Sequence, residues 1–117
     1  MQWQTLSDVT QIADLIATSY ETPVLIFKHS TRCGVSSFVR NRFEDDWNFS
    51  KNEVTPVYLD LIRHRNVSNA LAKEFNVQHE SPQILLLING DCVFHASHLS
   101  ARVEALIPPL ESAPQSL

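Results

Sequence analysis

With 117 residues and 44% apolar side chains, the chain suits one hydrophobic core, the usual content of a single domain. Lys and Arg total 9 against 13 Asp and Glu, a net charge of −4, and the basic residues are dispersed, so the footprint of a nucleic-acid binder is absent. No apolar run approaches the ~20 residues of a membrane span, the first ten residues lack the basic head and apolar stretch of a secretory leader, and two cysteines cannot build a disulfide framework or a four-ligand zinc site. The expectation is a soluble cytoplasmic protein without membrane or nucleic-acid partners.

Ser7 and Asp8 predict a helix start, an N-cap oxygen followed by a carboxylate near the positive end of the dipole. Val9, Ile12, Ala13 and Ile16 then share one helical face. Pro23 breaks that helix, and Val24 to Phe27 is a short apolar run suited to a strand buried on both sides. After a polar connection at Ser30-Thr31-Arg32, a second helix begins at Cys33, with Val35, Phe38, Val39, Phe43 and Trp47 on one side. Val54 to Leu61, β-branched and aromatic, predicts a strand.

Asn66 is placed to cap a third helix carrying Val67, Ala70, Leu71 and Phe75, and Asn76 tolerates the left-handed conformation that closes helices. Gln83 to Ile88 is the most apolar strand, and Asn89-Gly90 signals a tight hairpin into a partner strand near Cys92 to Ala96. Ser100 then caps a last helix with Val103, Leu106, Ile107 and Leu110 on one face, cut short by Pro108. A short strand opens the series, so the order is β-α-β-α-β-α-β-β-α. Alternation of strands and helices implies parallel crossovers, and the closing hairpin adds an antiparallel edge. The expected fold class is α/β, a thioredoxin-like fold with a central mixed sheet and helices on both faces. It occupies residues 1–110 as one domain, with residues 111–117 as a flexible tail.

Cys33 is the candidate nucleophile. It follows the carboxyl end of a central strand, where α/β proteins collect their chemistry, and opens a helix, where free N–H groups and the dipole favour a thiolate. Arg32 adds a positive neighbour and Gly34 leaves the approach to sulfur open. Ser36 stands where a dithiol helix carries its second cysteine; its hydroxyl can hydrogen-bond a thiolate but cannot close a disulfide. A reactive Cys33 therefore works as a single thiol. It takes a small thiol from a mixed disulfide, and a further thiol releases it. Pro82, preceded by His79-Glu80-Ser81, is a candidate cis-proline before a buried strand. In a thioredoxin fold such a loop faces the cysteine, and Ser81 with Pro82 would form the substrate groove. Cys92 predicts a small buried hydrophobe rather than a resolving thiol, and the five histidines form no ligand pattern, so no metal is expected.

These residues carry a resemblance. Phe27-Lys28-His29-Ser30-Thr31-Arg32-Cys33 with Ser36-Ser37, then Asp60-Leu61 with Arg65-Asn66-Val67-Ser68, then Val77-Gln78-His79-Glu80-Ser81-Pro82-Gln83 make the chain resemble the bacillithiol-system redox proteins, the monothiol bacilliredoxins. The resemblance implies removal of bacillithiol from S-thiolated proteins, with Cys33 attacking and Pro82 cis. Bacillithiol is then the transferred thiol, and no resident cofactor is implied. Gly34 departs from members with proline after the cysteine. Two alternatives stand beside this reading. A glutaredoxin-like monothiol protein would use glutathione or share an iron–sulfur cluster, although Glu80-Ser81 and His95-Ala96-Ser97-His98 do not match that family's glutathione-binding residues. A thioredoxin-fold binding module would grip a partner without turnover.

Overall fold

A computed structural model describes residues 1–113. In chain order it holds β1 (Gln4–Thr5), α1 (Gln11–Ser19), β2 (Val24–His29), α2 (Gly34–Asp46), β3 (Thr55–Asp60), α3 (Arg65–Phe75), β4 (Gln83–Ile88) and β5 (Asp91–Ser97). Two 3₁₀ turns, His98–Ser100 and Val103–Leu106, lead into α4 (Ile107–Ser112). The sheet order is β1-β3-β2-β4-β5. β1 and β2 run parallel to β3, whereas β4 runs antiparallel to both β2 and β5.

The central strands β2 and β4 are buried along their whole length, which is why neither shows an apolar–polar alternation. Their side chains nonetheless divide by pleat. Val24, Ile26, Leu85 and Leu87 join Ile12 and Leu15 of α1 and Val67 and Leu71 of α3 in one core. Leu25, Phe27, Ile84 and Leu86 join Val39 and Phe43 of α2 and Leu106 in the other. Helices therefore cover both faces. Asn89 and Gly90 adopt φ of 51° and 83°, the paired left-handed residues of a two-residue hairpin. Asn76 closes α3 at φ 52°.

Several expected details shift, each for a local reason. The Asp8 carboxylate accepts from Thr10 N–H at 2.9 Å, so a turn occupies residues 8–10 and α1 starts at Gln11. Val9 is consequently exposed, and Ile12, Leu15 and Ser19 form the buried face. α3 begins one residue before Asn66, with His64 at the N-cap position. Asp60 fixes the approach by accepting from Ile62 and Arg63 N–H at 3.1 and 3.2 Å. The last segment is two 3₁₀ turns and a short helix rather than one helix from Ser100, and a proline stands in the first turn of α4. The missing N–H of a proline costs nothing there, so Pro108 belongs to a helix start and does not end one. α4 carries Glu111 and Ser112, beyond the drawn domain boundary; residues 114–117 of the expected tail lie outside the described residues.

Candidate active site

The site lies where β2 ends. Register pairs Lys28 with Gln83, so the next step along the two antiparallel strands sets His29 beside Pro82. The segment leaving β2 toward α2 and the loop entering β4 thus meet at one end of the sheet. The Ser81–Pro82 peptide is cis. The Pro82 carbonyl accepts from His98 N–H at 2.8 Å, which draws the turn after β5 to the same place.

Cys33 is the N-cap of α2, with extended backbone (φ −111°, ψ 118°), and the helix proper starts at Gly34 rather than at the cysteine. The Cys33 N–H donates to Ser30 O at 3.2 Å, and its carbonyl accepts from Ser37 N–H at 3.1 Å. The side chain is half-buried and free of any disulfide. α2 has no acidic residue in its first turn, so nothing on the helix opposes its positive end there. Arg32 and Gly34 are exposed on either side. A Cβ placed on Gly34 would meet nothing within 4 Å.

Ser36 is 0% exposed, and its hydroxyl serves the fold. Its Oγ accepts from Ser30 N–H at 3.0 Å and lies 2.7 Å from His29 Nδ1. The Ser36 hydroxyl and His29 Nδ1 thus share one short hydrogen bond, whose direction is set by the ring tautomer. Burial and the nearby Arg40 guanidinium hold the His29 pKa below the ordinary value, against Asp60 and Glu44. Among the described residues the hydrogen-bond partners of the Ser36 hydroxyl are Ser30 and His29.

This tether also explains why the apolar face drawn on α2 is rotated. Val35 and Phe38 are 51% and 57% exposed, whereas Ser36, Val39 and Phe43 are buried. Arg42 lies over the Phe38 ring at 5.7 Å and donates to Leu99 O at 2.7 Å, joining α2 to the turn after β5.

On the other side of the sheet, Lys28 Nζ donates to Gln83 Oε1 at 2.9 Å, and Gln83 Nε2 donates to Gln78 O at 3.0 Å. Sequence reading missed both Lys28 and Gln83 as a pair, because only strand register reveals that they are neighbours. Ser81 Oγ is shielded from solvent without a hydrogen-bond partner among the described residues.

Cys92 stands apart from this assembly. It pairs with Leu87, four residues along β4 from Gln83, about 13 Å toward the opposite end of the sheet. Burial pushes its thiol pKa up, although its Sγ contacts the Phe94 carbonyl at 3.4 Å. Among the described residues no group of three or more His, Cys, Asp or Glu is placed to hold a metal, and no helix is long and apolar enough to cross a membrane.

Comparison with known proteins shows the family and the fold. A family model described as Monothiol bacilliredoxin BrxC matches residues 4–106. A solved structure described as an oxidoreductase with a thioredoxin fold superposes with a TM-score of 0.74 at 29% identity, covering 92% of each chain. Thioredoxin from Malassezia sympodialis gives a TM-score of 0.71 at 15% identity over 94% of this chain and 89% of its own. A mutant thioredoxin from Halobacterium salinarum gives 0.69 at 20% identity over 99% and 94%. The last two carry the fold alone.

Proposed function

The chain belongs to the monothiol bacilliredoxin family, and from that membership we propose that Cys33 removes bacillithiol from S-bacillithiolated proteins. The Cys33 thiolate attacks the bacillithiol sulfur of the mixed disulfide. A new sulfur–sulfur bond joins Cys33 to bacillithiol, the old one breaks, and its electron pair leaves with the protein thiolate. A second low-molecular-weight thiol, as thiolate, then attacks the bacillithiol sulfur of the adduct: a low-molecular-weight disulfide forms, the bond to Cys33 breaks, and the Cys33 thiolate leaves. Bacillithiol is substrate throughout.

One observation carries this reading. Cys33 is a half-buried N-cap thiol, and the position three residues on is a fully buried hydroxyl already committed to His29 and Ser30. No thiol is at hand to displace bacillithiol from within, because Cys92 belongs to the far end of the sheet. In this proposal Arg32 favours the anionic sulfur and Gly34 leaves its approach open. Ser36 supports the thiolate indirectly, by holding the loop that carries it. Ser81 and Pro82 would present their backbone to the substrate chain, the Ser81 hydroxyl being shielded from solvent and Pro82 buried.

The test is release of bacillithiol from a modified protein by wild type and by Cys33→Ser. Loss of release in the variant supports the assignment. Equal release by both refutes it. A stable wild-type adduct with the protein chain alone, and no small-thiol adduct, would indicate a binding module.

A further inference from the structure

Lys28 is 1% exposed, and the pleat puts it on the face of β2 that carries Val24 and Ile26, opposite His29. Its bond to Gln83 Oε1 has a consequence for the neighbouring loop. An ammonium can only donate, so it admits one orientation of the Gln83 amide, Oε1 inward. Nε2 is thereby turned to the Gln78 carbonyl at 3.0 Å and toward Ser97 Oγ at 3.5 Å. Ser97 Oγ in turn donates to the Glu80 carboxylate. Gln78 and Glu80 both belong to the loop that delivers Ser81 and Pro82. A further tie, between Ser68 Oγ and His79 Nδ1 at 3.0 Å, holds the same loop to α3.

A buried lysine is a poor choice for stability. Desolvation pushes its pKa down to about 8, against the attraction of Glu80, because burying an ammonium costs free energy. The cost goes with an orientation that no apolar residue can impose.

We propose that Lys28 is a positioning residue for the loop of residues 78–82: through the Gln83 amide it fixes the edge that receives the disulfide-bearing segment of the protein substrate, and so sets substrate affinity rather than the reactivity of sulfur. This rests on the reading of Cys33 and Pro82 given above.

Two variants test it. Lys28→Met removes the ammonium. Gln83→Glu is isosteric and keeps the contact to Lys28, but it has no proton to offer the Gln78 carbonyl. Each is expected to raise KM for an S-bacillithiolated protein on the order of tenfold, the effect of one well-placed hydrogen bond, with kcat and the alkylation of Cys33 by iodoacetamide unchanged. Amide hydrogen exchange at residues 78–81 accelerates by a similar factor. Wild-type KM and wild-type exchange in folded Gln83→Glu overturn the proposal, as does a parallel fall in kcat and alkylation. Should Lys28→Met fail to fold, Gln83→Glu decides alone. Should Cys33→Ser match wild type in thiol release, the exchange reading falls instead, and amide exchange at residues 78–81 still decides whether Lys28 holds the loop.

Discussion

Ser36→Ala separates a hydroxyl that holds the fold from one that serves the sulfur. The substitution removes one oxygen from a fully buried site and strands two partners, the Ser30 N–H and His29 Nδ1. An unsatisfied buried polar group costs about 1–3 kcal/mol. Alanine recovers roughly 0.5 kcal/mol of that through its higher helix propensity. The net loss should be about 1.5–5.5 kcal/mol. In urea, at an unchanged slope of about 2 kcal/mol/M, this lowers the unfolding midpoint by about 1–3 M. A loss below about 0.5 kcal/mol, the range of ordinary surface substitutions, would refute the assignment. If it came with a slowed alkylation of Cys33, the hydroxyl would belong to the sulfur after all.

Other consequences follow from single features of the site. At neutral pH, Cys33 should react with iodoacetamide at least about tenfold faster than Cys92, whose thiol is pushed up by burial; mass mapping of partly alkylated protein reads the ratio, and equal labelling would contradict it. Gly34→Pro should stabilise the protein by about 0.4–1 kcal/mol, because the first helical position needs no N–H partner, the space is open and the extended Cys33 backbone suits a residue before proline; urea titration checks the sign. Lys28 has a folded-state pKa depressed to about 8 from 10.5. Between those values the unfolded chain holds a proton that the folded protein has shed, so its contribution to stability rises with pH across that window, by about 3 kcal/mol. The stability difference between wild type and Lys28→Met should show this rise, and a flat difference would contradict it.

Much of the architecture was legible because it rests on local signals. Asn89-Gly90 requires the left-handed turn it adopts, Asn76 closes its helix, and apolar runs mark the two buried strands. Cys33 was legible for the same reason, as a thiol between a strand end and a helix start. What stayed hidden depends on pairing across the sheet. Hydrophobicity drew Val35 and Phe38 into the core of α2, whereas the structure turns that helix so that Ser36 meets His29 and Ser30. Lys28 and Gln83 gave no warning either, being polar residues at the ends of apolar strands 55 positions apart. A polar side chain earns burial through its partners, and the partners are set by register.

The most direct measurement is intact-protein mass spectrometry during reaction with a bacillithiol-modified protein. The account predicts one bacillithiol on Cys33, appearing in step with the free thiol of the substrate, and no such mass on Cys33→Ser. An adduct on Cys92, or a substrate thiol freed with Cys33 never modified, would contradict it.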